Sequence, residues 1–282
     1  MSHPFQLVDV FGTGPFTGNP LPVIAQAEGL STEEMQYITR WFNHSETAFL
    51  VPATDPGADY RARIFTLTHE LPFAGHPTLG SAHAWLEAGG QPKREGFVVQ
   101  ECGAGLVTVR RERERLAFDA PPLIRGGQPT EQELAQVVAA LQIDPSTIVA
   151  ATWADNGPGW IAVMLESADA VLAVEATRHH RGRLDIGLVG PHPPGGETAF
   201  ELRALFYDLR GTLVEDPVTG SLNASVGQWL FATGRASGSY IAAQGTRLGR
   251  TGRVHVQQDE RGRVWVGGAT RTLFSGVSGS GW

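Results

Sequence analysis

Polar and apolar residues alternate with period two in ARIFTL, FELRALF, LVTVR, RVHVQ and RVWVG, stretches rich in β-branched and aromatic residues. Such alternation predicts strands with one buried face, because successive side chains of an extended chain point to opposite sides. TLGSAHAWLEA and LNASVGQWLFA are instead apolar on nearly every face and rich in Ala, Gly and Ser. A helix of that kind is surrounded by protein, and its small residues let a sheet wrap closely around it. STEEMQYITRWFN, Ser31 to Asn43, has a further helix signal: a Ser cap with Glu34 three residues later, a capping box. TEQELAQVVAALQI, Thr130 to Ile143, reads as its partner in the second half, after the Pro-rich stretch DAPPLIRGGQP.

The two buried helices belong to a repeat. HELPFAGHPTLGSAHAWLEAGG, from His69, aligns with VEDPVTGSLNASVGQWLFATG, from Val214. Glu70 matches Glu215, Pro72 matches Pro217, Gly75 matches Gly220 and Gly89 matches Gly234, each pair 145 residues apart. Gly89 and Gly234 stand where a left-handed glycine ends a helix. The chain is thus expected to be a mixed α/β (α+β) protein of two pseudo-symmetric domains, each a curled, mostly antiparallel sheet around a central helix. The junction is placed near Ala120, giving domains 1–120 and 121–282, with the last strand able to cross back to the first.

Composition narrows the function. The 282 residues, 41% hydrophobic, are enough for two cores. Only the tail FSGVSGSGW looks loose. No run of 18 uncharged apolar residues occurs and the first residues lack a secretory pattern, so a cytoplasmic protein without a membrane role is expected. The net charge of −7 argues against nucleic acid, and the basic run TRHHRGR reads as a solvated loop. A single cysteine, Cys102, excludes an internal disulfide and a Cys-rich metal site. No HExxH spacing is present and GTGPFTG lacks the Lys-Ser/Thr of a phosphate loop, so neither a metal nor a nucleotide is expected.

The repeat directs attention to the helix starts. First-turn N–H groups lack intrahelical acceptors and carry partial positive charge, and Gly75 and Gly220 would let an anion reach the backbone. If the repeats pack about a pseudo-twofold axis, a carboxylate-bearing substrate could lie in the cleft between them. Gly-Ser could equally be a simple cap. His76 stands at the place of Ser221 and Asp216 at that of Leu71; a capping histidine and a turn-stabilising aspartate are the plainer readings. Glu46, in NHSETAFLVP, opens an apolar strand, and a carboxylate there is a candidate for a raised pKa and proton transfer, or else a solvated loop residue.

DVFGTGPFTGNPLPVI, SETAFL, FAGHPTLGSAH and EDPVTGS, in this order over essentially the whole chain, resemble the PhzF-like phenazine-biosynthesis isomerase family. The resemblance implies a diaminopimelate-epimerase-like fold and an isomerase that needs no cofactor. Its best-known reaction isomerises trans-2,3-dihydro-3-hydroxyanthranilate by moving a proton within the ring. It further implies Glu46 as general acid/base, with His76, Asp216 and Ser221 binding and orienting the substrate near Gly75 and Gly220, and a homodimer. The chain departs from the family at Leu222 and Asn223, where Ala-His is common, and at Ala74 and Pro77, where Cys and Ala are common; these are placed at the edge of the cleft. Enzymes of this fold that work with paired thiols are not matched: Cys102 precedes a strand and its repeat partner region, QGTRLG, has no thiol. A thiol-independent epimerase, or a binding or protein-interaction module on the same fold, are the alternatives.

Overall fold

The computed structural model describes residues 2–208 and 210–279, which divide into two compact units. One holds the chain up to Asp119 together with the segment from Gly267 onward, and the other runs from Ala120 to Val266.

The first unit comprises β1 (Pro4–Val10), β2 (Asn19–Ile24), α1 (Thr32–Phe42), β3 (Glu46–Val51), β4 (Tyr60–Thr66), β5 (Glu70–Leu71), α2 (Gly75–Glu87), β6 (Phe97–Cys102), β7 (Gly105–Arg111), β8 (Leu116–Asp119) and, from the end of the chain, β18 (Thr270–Val277). Its sheet runs β18-β1-β2-β3-β4-β6-β7-β8, with β5 paired to the far end of β4; only β2–β3 and β4–β6 are parallel. α2 touches β1, β2, β3, β4, β6, β7, β8 and β18, so the sheet closes around it. The small residues of α2 make this possible: a Cβ on Gly80 would come within 2.5 Å of Leu21 Cδ2. Outside the sheet, α1 packs on β3 and β4, burying Met35 with Ile24, Phe49 and Phe65.

The second unit comprises β9 (Arg125–Gly127), α3 (Glu131–Leu141), β10 (Ile148–Asp155), β11 (Trp160–Leu165), α4 (Ala168–Ala173), β12 (Asp185–Pro191), β13 (Phe200–Tyr207), β14 (Leu213–Asp216), α5 (Gly220–Ala232), β15 (Ser239–Gln244), β16 (Gly252–Gln258) and β17 (Val264–Gly268), whose last residues lead into the first unit. The pairing repeats the first unit: β9-β10-β11-β12-β13-β15-β16, with β14 on β13, and of these pairings β11–β12 and β13–β15 are the parallel ones. α5 is its central helix. Leu222 fills the space left by Gly187 of β12, and Gly227 lies under Val256, Tyr240 and Val264.

Both central helices end as expected, on left-handed glycines: Gly89 has φ +91° and Gly234 φ +68°. Two expectations are corrected. By topology the counterpart of α1 is α4, not α3: α1 follows β2 and packs on β3 and β4, while α4 follows β11 and packs on β12 and β13. α3 precedes β10, and its Val137, Ala140 and Leu141 join the same core as Val171 of α4. A capping box marks where a helix starts, which α1 and α3 share, but says nothing of its place in the repeat. The tail is also not loose as far as it is described: Phe274 to Val277 complete β18, whose backbone pairs along β1, and residues 280–282 lie outside the described residues.

Candidate functional site

The starts of the two central helices differ from those of the outer helices. Ser31 caps α1 and Thr130 caps α3, each accepting the third-residue N–H in a full capping box, and Ser167 caps α4. At α2 and α5 the N-cap residues are Ala74 and Thr219, and neither makes a side-chain cap. The first-turn amides of the two most buried helices are thus left without the internal acceptor that the fold supplies elsewhere. Ser221 is not a cap; it lies inside the first turn, one residue after Gly220.

In the first unit, Glu46 opens β3 immediately after α1 and a short turn in which Asn43 takes a left-handed conformation. Its carboxylate, 17% exposed, lies 3.6 Å from Nε2 of His76, the second residue of α2. Asn19, the first residue of β2, places its Nδ2 3.4 Å from Nδ1 of the same ring. With the amide turned this way Nδ1 is the acceptor, which assigns the proton of the neutral ring to Nε2, on the side of Glu46. Burial holds the imidazole neutral, lowering its pKa to about 3, and the neighbouring His44 adds to the effect. Asn19 is itself presented by the loop before it. The Asp9 carboxylate accepts the Thr17 and Gly18 N–H groups at 3.0 and 2.9 Å, and a Cβ on Gly18 would meet the Val10 carbonyl at 2.2 Å. Gly75 is the first residue of α2, next to His76.

In the second unit, Asp216 ends β14 and is buried; its Oδ2 accepts the Thr219 hydroxyl at 2.5 Å. Ser221 Oγ accepts the Trp160 indole N–H at 3.1 Å, and its carbonyl accepts Asn156 Nδ2 at 2.9 Å. Because an indole N–H only donates, the Ser221 hydroxyl keeps its own proton to give. Gly220, Ser221 and Asp216 thus share one helix start, as Gly75, His76 and Glu46 share the other.

Leu222 and Asn223 do not stand at an edge. Leu222 is fully buried against Gly187, and Asn223, also fully buried, donates to the Thr219 carbonyl and to Gln244 Oε1. They face the sheet because α5 is enclosed on nearly every side. Ala74 and Pro77 are likewise buried. Cys102 is buried with its thiol toward the Gly105 carbonyl, and burial pushes its pKa up, the opposite of an activated thiol.

Asn156, Trp160, Thr219 and Gln244 were not singled out by sequence reasoning. Thr219 stood within EDPVTGS, and Gln244, a polar residue closing the apolar strand SYIAAQ, was a signal that could have been read. Asp185 was missed as well. In the first unit Ala48 faces Ile64, which faces Leu71; in the second Gly187 faces Ala204, which faces Asp216. Laying one ladder on the other puts Asp185 at the place of Glu46.

Residues 8–276 match the model of a family described as phenazine biosynthesis-like protein. The chain belongs to the phenazine biosynthesis-like family. Its relatives in this family include antisense-enhancing sequence 1 of Schizosaccharomyces pombe, 33% identical with 98% of each chain covered. Another is a trans-2,3-dihydro-3-hydroxyanthranilate isomerase of Pseudomonas aeruginosa, 31% identical with 92% of each covered. Among solved structures, a PhzF-family protein of Enterococcus faecalis superposes with a TM-score of 0.79 at 25% identity, covering 99% of each chain. As a member of this family the chain is an enzyme of the isomerase class. No helix among its described residues is long and apolar enough to cross a membrane.

Proposed function

We propose that this phenazine biosynthesis-like protein catalyses a cofactor-independent proton shift on a small carboxylate-bearing metabolite with an amino or hydroxyl substituent, cyclic as in the substrate named for the Pseudomonas relative. The observation that carries the reading is the Glu46–His76 pair: a carboxylate 3.6 Å from an imidazole that burial keeps neutral, at a helix start its own N-cap leaves open.

In this reading Glu46 takes a proton from a ring carbon, the C–H electron pair enters the conjugated system, and the same carboxyl returns the proton to another carbon. No electrons are gained or lost overall and no group leaves. One carboxylate suffices for both transfers. Neutral His76 donates its Nε2 proton without competing as a base. The Gly75 and Gly220 amides and the Ser221 hydroxyl bind the substrate carboxylate and the negative charge that develops. Asp216 accepts from the amine or hydroxyl.

The test is isomerisation of trans-2,3-dihydro-3-hydroxyanthranilate in deuterium oxide, following label in the product by mass spectrometry. Glu46→Gln is expected to reduce turnover and label entry on the order of 100-fold or more. Undiminished label entry in that variant would remove Glu46 from its role.

A further inference from the structure

The end of β14, the start of α5 and the end of β15 hold four buried polar side chains, Asp216, Thr219, Asn223 and Gln244. Main-chain groups set the direction of every bond among them. Gln244 Oε1 accepts the Thr219 backbone N–H at 3.0 Å, and its Nε2 donates to the Asp216 carbonyl at 3.3 Å, so the amide has one orientation. Asn223 Nδ2 donates to the Thr219 carbonyl at 2.9 Å and to Gln244 Oε1 at 2.8 Å. Gln244 Nε2 also donates to Thr219 Oγ1 at 2.9 Å. With an amide N–H on its oxygen, the Thr219 hydroxyl directs its own proton to Asp216 Oδ2 at 2.5 Å.

Two further observations separate this relay from ordinary packing. Thr219 occupies an N-cap, where Thr normally accepts a first-turn N–H, yet it makes no cap; its hydroxyl has been drawn onto the carboxylate. The duplicated half keeps a shorter chain, in which Gln100 donates to Thr78 Oγ1 at 3.0 Å and Thr78 to the Ala74 carbonyl at 2.9 Å, and it ends there, without a hydroxyl at the N-cap or a carboxylate beyond it. The helix alignment and the β4–β6 and β13–β15 registers put Leu71, Ala74, Thr78 and Cys102 at the places of Asp216, Thr219, Asn223 and Gln244. A buried glutamine braced on the central helix is thus common to both halves, and the extension through an N-cap hydroxyl to a carboxylate belongs to the second.

We propose that Gln244 is a positioning residue that acts through Thr219 on Asp216, holding the aspartate side chain in one rotamer as a hydrogen-bond acceptor. The group of the substrate that Asp216 recognises is then a donor, an ammonium or a hydroxyl. This rests on the reading that Asp216 binds substrate.

The experiment has a structural arm that needs no substrate and a kinetic arm. In a crystal structure of Gln244→Ala, the Thr219 hydroxyl is expected to rotate onto a first-turn N–H of α5 and leave Asp216; a hydroxyl still within hydrogen-bond distance of Oδ2 overturns the proposal. Thr219→Val and Thr219→Ser cover the case in which Gln244→Ala does not fold: the Asp216 rotamer is kept with Ser and lost with Val, and a rotamer unchanged in Val overturns the proposal. With trans-2,3-dihydro-3-hydroxyanthranilate as probe, Gln244→Ala and Thr219→Val raise KM roughly tenfold, the scale of one hydrogen bond to a charged group, while kcat stays within about threefold and Thr219→Ser restores KM. An unchanged KM in variants that have lost the Thr219–Asp216 bond overturns the proposal. A wild-type chain that does not turn over the probe counts against the proposed substrate, and the crystal structures then decide the relay.

Discussion

The two units are built to one plan, and they diverge in the partners that polar side chains meet at matching places. Both contain the same staple. Arg63 of β4 grips Glu70 of β5 with two bonds of 2.8 and 2.7 Å and reaches Thr32 at the start of α1. Arg203 of β13 grips Glu215 of β14 at 3.0 and 2.9 Å and reaches the Val171 and Val174 carbonyls at the end of α4. Each staple fixes the strand that leads into a central helix. The acids differ. Glu46 faces a neutral imidazole, whereas its counterpart Asp185 is bound by the Arg183 guanidinium at 2.7 Å. Burial pushes the Asp185 pKa up and Arg183 opposes it. The matching acids of the two halves thus meet different partners, an imidazole in one and a guanidinium in the other.

The staples provide the largest contrast. The side chains of Arg203 and Glu215 are 6% and 12% exposed, and those of Arg63 and Glu70 are 19% and 36%. Arg203→Met strands a buried carboxylate and is expected to cost about 3–5 kcal/mol in urea unfolding. Arg63→Met, at a wetter pair, should cost under about 1 kcal/mol. Equal losses would break the comparison. For the acids, Asp185→Asn is expected to leave isomerisation within about threefold where Glu46→Gln loses about 100-fold; comparable losses would make Asp185 a second proton carrier.

The helix starts should also separate by pH. His76 titrates near pH 3 in the folded protein and near 6.5 when unfolded. Below pH 6.5 the unfolded chain binds a proton that the folded chain refuses. The stability this residue contributes is therefore complete above pH 6.5 and is lost as pH falls toward 3, at about 1.4 kcal/mol per unit. Urea midpoints of His76→Asn should lack that component, while Ser221→Ala, at the matching place, should retain it. The smallest effect concerns the caps: Ser31→Ala and Thr130→Ala should each cost about 1 kcal/mol in thermal unfolding without altering turnover.

Much of this was legible in the chain. The repeat at a spacing of 145, the glycines that end both central helices, and Glu46, His76, Asp216 and Ser221 as candidates all come from local patterns or from ordered motifs. A single spacing could not reveal Asp185, because the β13–β14 hairpin is longer than β4–β5 and the registers of the two halves drift apart along the chain. α4, six residues long, is too short to show a helical period. The burial of Leu222 and Asn223 was likewise hidden, since a helix apolar on every face does not say which residues meet the sheet.

By itself the sequence determined that two related units exist, that each wraps strands around a small-residue helix, and which residue types stand at the helix starts. Those are properties of period, spacing and composition, which act over a few residues at a time. Only the tertiary structure decided what each polar group faces: that His76 is desolvated into neutrality beside Glu46, that Arg183 engages Asp185, and that Gln244 turns Thr219 from a cap into a donor for Asp216. Protonation and hydrogen-bond direction depend on burial and on partners from distant strands, and those are settled only when the sheets close.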